Sequence, residues 1–472
     1  MSHLLHISGC GPDSNLVKDA PAQIVSMLDR DLNLGDETLN RMMRVMEVEM
    51  KHGLSGNEKF RKQSSLKMLV TYVREVLDGT EEGEFLALDL GGTNFRVLHM
   101  TMKAGKLVYF ISKTYSISSS TLHGSAVEVF DYIAECIAEF VEEEGIQNEK
   151  RLPLGFTFSF PLKKEGLRKG ILMKWNKTFR CSDGIGEDVV CLLEDAIHKR
   201  GDINVEVVAI LNDTTGTLMA GAYIDHHCQI GLIIGTGCNV CYVEHLENVD
   251  KWRELIIHPK EVIINTEWGA FGDNGSLDFL KTEVDRCIDK NSPHPGINTF
   301  EKLFSGMFMG ELLRHYMLEN IRNGSLFSGR GENVLEKTGT IKTSHISQIE
   351  KDFFNLNQTR KFLREIGLLE DASPSDVAAV RLISELITIR AAKIISTGLA
   401  VLLHQINKPT VTIAVDGSLY KYHPTLKHLI QEELNKLVPG TKTKLILAED
   451  GSGHGAGYVA AVVNRLDKRR IH

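Results

Sequence analysis

Phe85-Leu-Ala-Leu-Asp-Leu-Gly-Gly-Thr-Asn-Phe-Arg-Val-Leu98 reads as two hydrophobic strands joined by a glycine turn, and Gly231-Leu-Ile-Ile-Gly-Thr-Gly-Cys-Asn-Val-Cys-Tyr-Val243 repeats the design. Each pattern predicts a β-hairpin whose tight turn leaves backbone N–H groups and a hydroxyl free to cradle phosphate. A third glycine-rich stretch, Asp450-Gly-Ser-Gly-His-Gly-Ala-Gly457, reads as a turn running into a final Ala/Val helix. Together they imply a duplicated nucleotide-binding architecture and make the chain a candidate ATP enzyme.

Two commoner phosphate motifs are missing: there is no G-x-x-x-x-G-K-[ST] loop, and no G-x-G-x-x-G unit followed by an acidic ribose ligand. Phosphate binding must use another geometry. In Asp89-Leu-Gly-Gly-Thr-Asn94 the glycines admit close backbone approach, Thr93 and Asn94 offer hydrogen bonds, and Asp89 is placed to orient a hydrated Mg²⁺.

With 472 residues and 42% apolar content the chain exceeds one ordinary domain, so two lobes with the ligand between them are expected. A net charge of −8, with acids and bases interspersed, offers no basic surface to nucleic acid or anionic membrane and points to a small substrate. No apolar run is expected to span a membrane, and Met1-Ser-His-Leu-Leu-His-Ile-Ser-Gly-Cys10 lacks the regions of a secretory signal. Eight irregularly spaced cysteines read as reduced thiols of a cytoplasmic protein. Cys238-Asn-Val-Cys241 has CxxC spacing, but it lacks a second pair and sits in a predicted strand, so packing is its expected role. Asp225-His-His-Cys228 reads as a solvated connector, and the sequon Asn176-Lys-Thr178 as unmodified.

Residues 1–80 read as helical, with Leu39, Met42, Met43, Met46 and Met50 on one apolar stripe and Asp36 as N-cap. Strands follow from Phe85, a helix near Val127 to Glu142, a strand from Leu152 to Phe160 and a strand-rich block from Val205 to Val243. Between Asp278 and Asp371 the signal is mixed. Ser373-Pro-Ser-Asp opens a long helix ending near Asn407-Lys-Pro409, and Val411 to Leu419 returns to strand and turn.

Val207-Val-Ala-Ile-Leu-Asn-Asp-Thr-Thr-Gly-Thr-Leu218 is an apolar strand ending in Asn212-Asp213 before a small-residue helix. Asp213 is either a helix N-cap or a carboxylate aimed into a cleft, where it would accept the proton of an attacking hydroxyl. Leu154-Gly-Phe-Thr-Phe-Ser-Phe-Pro161, Trp175-Asn-Lys-Thr-Phe179 and Asn265-Thr-Glu-Trp-Gly-Ala-Phe271 place a hydroxyl, an amide, an ammonium and a carboxylate among bulky apolar groups, as a polyol pocket requires.

LDLGGTNFR, LGFTFSFP, GILMKWNKTF, LNDTTGTLMAGAY, IIGTGCNVCY, NTEWGAFGD, VDGSLYK and DGSGHGAG, in this order, make the chain resemble hexokinases of the single-unit type, close to animal hexokinases and glucokinases, over nearly its whole length. The resemblance implies an α/β, actin-like (ribonuclease-H-like) duplicated fold with two lobes around a cleft. The small lobe would take residues 78–211 plus 447–472, and the large lobe residues 1–77 plus 212–446. It implies transfer of the γ-phosphoryl of MgATP to the 6-hydroxyl of glucose and related hexoses, mannose and fructose among them. Carried over residue by residue, Asp213 is the general base, and Lys177 binds sugar and stabilises charge on the phosphoryl. Ser159, Asn212, Asn239, Glu267 and Glu301 match sugar contacts. Asp89, Gly91, Gly92, Thr93, Asn94 and Arg96 match the first phosphate turn and Thr236 the second. Thr343, Ser347, Gly417, Ser418 and Ser452 match the nucleotide pocket. Mg²⁺ is expected to have no direct protein ligand; phosphate oxygens and water hold it, with Asp89 indirect. The chain departs from the family pattern at Asn176, commonly threonine, at Asn298, often glutamine, and after Pro161, where Leu162-Lys-Lys-Glu-Gly166 lacks the frequent Cys-Gln.

Hexose binding is expected to draw the lobes together and exclude water, so that Asp213 activates the sugar rather than a water molecule. A sugar sensor with little turnover and an actin- or chaperone-type ATPase share parts of this pattern. Only the first of these needs Ser159, Asn212, Glu267 and Glu301.

Overall fold

The computed structural model describes residues 14–471 except 93, 147–149, 176, 177, 256, 257, 353 and 354. After the short strand β1 (Leu69–Val70), the first hairpin forms as its sequence predicts: β2 (Gly83–Leu90) pairs antiparallel with β3 (Asn94–Lys103), Leu90 opposite Phe95. β4 (Lys106–Ser116) extends it, and β5 (Leu152–Phe158) lies parallel to β2. A small hairpin, β6 (Leu162–Gly166) and β7 (Lys169–Leu172), precedes β8 (Val205–Leu211), which is parallel to β5. The second half repeats the scheme. β9 (Cys228–Ile234), β10 (Cys238–His245) and β11 (Glu261–Asn265) form an antiparallel meander, then β12 (Thr410–Asp416) and β13 (Lys442–Leu447) add in parallel beside β9. The strand orders are β4-β3-β2-β5-β8 and β11-β10-β9-β12-β13, with β1 added outside β11. The duplication anticipated from two turns is thus a duplication of whole sheets in an α/β chain.

Three cores follow from strand periodicity. On β2, Leu86, Leu88 and Leu90 join the helices Ala126–Glu143 and Val189–Arg200 in one core. The alternate residues Phe85 and Ala87 face a second core, shared with Cys241, Val243 and Ala414 of the other sheet. The far face of that sheet, through Ile230, Leu232, Val240 and Tyr242, packs in a third core with the helices Asp36–Leu54 and Pro374–Ile406.

The middle core holds two helices, Asp213–Ile224 after β8 and Gly451–Ile471 after β13. The first follows a strand of one sheet and packs on β9 and β12 of the other; the second follows β13 and packs on β2 and β5. They cross backbone to backbone: a Cβ on Gly455 would lie 2.1 Å from the Gly216 carbonyl oxygen, which only glycine tolerates. This contact corrects the reading of residues 450–457 as a turn. The helix begins at Gly451, and its glycines serve close packing.

Three other expectations are corrected. Beyond Arg61, the end of a short helix, the first 80 residues are not helical; β1 pairs with β11 there. Asp36 is the first residue of its helix and Gly35 the N-cap, while Leu39, Met42, Met46 and Met50 are buried and Met43 packs at the edge of the core. The Pro374–Ile406 helix, capped by Ser373 and Asp376 and closed by left-handed Asn407, is long and apolar enough to cross a membrane, against the expectation of no such run. It is a core helix, and its buried Arg390 is neutralised by Asp285 at 2.6 Å.

Candidate active site

The strand ends and the starts of the crossing helices meet in one place. Asp89, near the end of β2, accepts hydrogen bonds from Arg96 across the hairpin at 2.6 Å and from the Ser452 hydroxyl at 2.9 Å. The same guanidinium pairs with Asp450, so one arginine serves a carboxylate from each repeat. A Cβ on Gly91 or Gly92 would meet nothing within 4 Å. Packing therefore does not demand these glycines, and the space above the turn is open to a ligand. Asn94 is exposed, and its amide oxygen accepts from Ser116 on β4 at 2.8 Å.

The second turn is anchored from outside. The Gly235 and Thr236 carbonyls accept N–H groups of Gly306 and Met307 at 2.9 and 3.0 Å, leaving the Thr236 side chain exposed. The Thr343 hydroxyl donates to the Gly306 carbonyl at 2.5 Å, and Ser347 lies one turn further along the same helix, Thr343–Ile349. Gly417, with φ +117°, is obligatory: a Cβ there would lie 2.4 Å from the Ile234 carbonyl oxygen. Ser418 follows as the exposed start of the helix Ser418–Tyr422. Asp416 links the segments that follow β12 and β13 by accepting the N–H of Gly417 at 2.6 Å and of Gly451 at 3.1 Å, and burial pushes its carboxyl above the ordinary value.

Asp213 is the first residue of its helix. Asn212, not Asp213, holds the N-cap position, and its amide bonds the hydroxyls of Thr214 and Thr215 at 2.7 and 2.6 Å. The Asp213 carboxylate accepts the Thr214 N–H at 2.8 Å. This helix start is pressed between the two sheets: a Cβ on Gly231 of β9 would meet the Thr214 carbonyl, and one on Gly216 would meet Gly451 and Ser452. Asp213 thus opens a helix whose first turn lies against β9 on one side and against Gly451 and Ser452 on the other.

The second hairpin and the strand beside it carry a polar cluster. Asn239 donates to Asn265 at 3.0 Å and to Glu267 at 2.9 Å, and Asn265 donates to the same Glu267 oxygen at 2.8 Å. Glu267 has φ +54°, a left-handed conformation rare for a side chain of its size. Asn298 has the same φ, and Asp273 holds it by accepting the N–H groups of Asn298 and Thr299 at 2.9 and 2.8 Å. Glu301 accepts the Cys238 N–H at 3.1 Å, and burial raises its carboxyl against that hydrogen bond and one from Asn298. Ser159 follows β5 and is tied by its N–H to the Leu90 carbonyl at 3.2 Å.

An unbroken set of contacts thus runs from Glu301 through the second turn, Gly417 and Asp416 to Ser452 and Asp89. Hexokinase family models match residues 24–223 and 229–462. A hexokinase from Schistosoma mansoni, solved in complex with glucose, is 38% identical, with a TM-score of 0.81 over 96% of this chain and all of that one. The chain belongs to the hexokinase family. Hexokinase-2 of Equus caballus and Hexokinase-1 of Homo sapiens are 43% and 42% identical over 92% of it. The chain spans about half the length of the curated relatives it matches, 47% in both cases.

Of the residues the hexokinase resemblance marked, Thr93, Asn176 and Lys177 lie outside the described residues. Sequence reasoning missed four that the geometry adds: Asn265 and Asp273 behind the polar cluster, and Asp416 and Asp450 beside the glycine turns. Asn265, Asp416 and Asp450 sit within or directly beside the quoted motifs as strand-end polar residues, which was the available signal. The two thiols of the CxxC run do not form a pair: Cys238 packs in the core with the long helix, and Cys241 in that of the crossing helices. Burial raises both, Cys241 to about 12. Asp225 caps the end of its helix and accepts from His227 and Thr412, as a connector should.

Proposed function

We propose that the chain is an ATP-dependent hexokinase that transfers the γ-phosphoryl of MgATP to the 6-hydroxyl of glucose and related hexoses such as mannose and fructose. The start of the Asp213 helix carries this reading: it is pressed against β9 and against the Gly451-Ser452 segment, whose Ser452 hydroxyl reaches Asp89. Asn239, Asn265, Glu267, Asn298 and Glu301 bind and orient the hydroxyls, with Ser159 and Asn212 reaching from the other repeat. Asp213 accepts the 6-hydroxyl proton as the oxygen attacks, which needs a positioned carboxylate more than a strong base. Lys177 stabilises charge on the transferring group. The open space at Gly91 and Gly92 suits phosphate oxygens, and Thr343, Ser347, Gly417, Ser418 and Ser452 hold the nucleotide. Mg²⁺ neutralises the phosphates when bound with ATP. Asp89, already paired to Arg96 and Ser452, fits an indirect role through water. Residues 78–211 plus 447–472 form one lobe and 1–77 plus 212–446 the other. Closure on hexose removes water from the cleft, and the enzyme acts in the cytoplasm.

A coupled ADP-release assay over a panel of hexoses tests the reading. Release that depends on the acceptor is expected. Release without acceptor would make the chain an ATPase, and sugar binding without release would make it a sensor.

A further inference from the structure

Glu350 is 1% exposed, yet it lies just beyond the helix that bears Thr343 and Ser347. Three hydroxyls converge on its carboxylate. One oxygen accepts from Ser384 at 3.2 Å and from Thr388, both on the Pro374–Ile406 helix, and the other accepts from Thr425 at 2.8 Å. His423 caps the helix that opens with Ser418, and its Nε2 stands 3.8 Å from Glu350 and 3.4 Å from the Thr388 hydroxyl. The ring's Nδ1 faces the N–H groups of Thr425 and Leu426 at 3.4 and 3.3 Å, which puts the proton on Nε2. Burial depresses the His423 pKa, against the opposing pull of the Glu350 carboxylate. One buried anion thus gathers the helix of Thr343 and Ser347, the helix behind it and the segment that follows Gly417 and Ser418. A buried carboxylate needs compensating hydrogen bonds, and these hydroxyls supply them only while the three elements keep their places.

We propose that Glu350 is a positioning residue of the nucleotide pocket: its carboxylate fastens the Thr343–Ile349 helix to the Gly417-Ser418 segment and so sets the spacing of the groups that hold ATP. The proposal rests on the reading of Thr343, Ser347, Gly417 and Ser418 as nucleotide contacts. Both elements abut the second turn, through the Thr343–Gly306 hydrogen bond and the contact of Gly417 with Ile234, so a shift in either reaches the phosphates. Apart from Glu301, which reaches the second hairpin at Cys238, the sugar cluster is held by contacts of its own, those of Asn265 and Asp273.

The experiment measures MgADP and glucose affinity by calorimetry, with turnover, in the whole chain and in Glu350→Gln. Hydrogen bonds to a buried charge support a loss of about tenfold in MgADP affinity and a comparable rise in KM for ATP, with glucose affinity within about twofold of the parent. Thr425→Val removes one arm with little change in volume and is expected to weaken MgADP severalfold in the same pattern. This second variant decides the matter if Glu350→Gln does not fold. Unchanged MgADP affinity, or equal losses for MgADP and glucose, would overturn the inference. An unmutated chain that shows no hexose-dependent ADP release would instead overturn the hexokinase reading.

Discussion

After β8 the chain runs Leu211-Asn212-Asp213-Thr214 into its crossing helix; after β13 it runs Ala448-Glu449-Asp450-Gly451-Ser452 into the other. The two sites are equivalent by topology, and each carries an acid at the end of the fifth strand of its repeat. Their surroundings differ. Asp450 is neutralised by Arg96, reached across the molecule from the first hairpin, and is followed by residues small enough to lie against Thr217 and Gly216. Asp213 accepts a backbone N–H from its own helix, whose first turn lies against β9. The same backbone occurs twice, and the Arg96 ion pair ties Asp450 to the first hairpin, while the proposed function assigns chemistry to Asp213.

If that division holds, Asp213→Ala removes most of the turnover, by about 10²–10⁴-fold, while glucose binding measured by calorimetry stays appreciable. Near-normal turnover in this variant would erase the distinction between the two acids. Arg96→Met attacks the other side of the comparison. Asp89 and Asp450 would face each other without their shared cation, and kcat/KM for ATP is expected to fall by about 10–100-fold. Hexose affinity should be nearly unchanged; a loss confined to hexose would place Arg96 on the sugar side and break the assignment of the first turn to phosphate.

The sequence displayed backbone-scale features best. Both hairpins, the strand before Asn212-Asp213 and the capped ends of the Pro374 helix are local patterns, fixed by residues a few positions apart. The non-helical path before β2 was hidden because β1 owes its strand geometry to β11, far away in sequence. The start of the last helix was hidden for a similar reason. Glycine is a poor helix former in isolation, and only the approach of Gly216 explains why it is required. At the candidate site, the motifs single out residues by chemical type: a strand-end aspartate, a glycine turn, a glutamate amid aromatics. Residues that act by holding others, such as Asn265 and Asp273, announce themselves only when their partners are in place.

The crossing itself is open to a test by sign. Alanine ordinarily stabilises a helix relative to glycine by about 0.5–1 kcal/mol. At Gly455 the new Cβ would press on a backbone oxygen that cannot move aside, so Gly455→Ala is expected to lose about 1–3 kcal/mol in denaturant unfolding. Gly216→Ala meets its nearest backbone atoms at 3.0 Å and should lose less. A more stable Gly455→Ala would mean that the two helices are not held at contact distance.

Glu301 yields the smallest effect, and its sign is informative. Burial lifts its carboxyl above the ordinary 4.5, so the folded chain holds this proton to higher pH than the unfolded chain does. Stability contributed by this group therefore falls as pH rises from the unfolded value through the raised folded one, and stays lowered above that. Glu301→Gln does not titrate, and its amide oxygen can still accept the Cys238 N–H. The Tm of the variant relative to the parent should climb from near equality at about pH 4 to a modest gain by about pH 7. Hexose KM should rise at the same time, because an ionised acceptor has been lost from the sugar cluster. A Tm difference that does not change with pH would show that Glu301 is not held charged against its burial. Stability gained together with affinity lost would identify this carboxylate as one kept for the substrate at a cost to the fold.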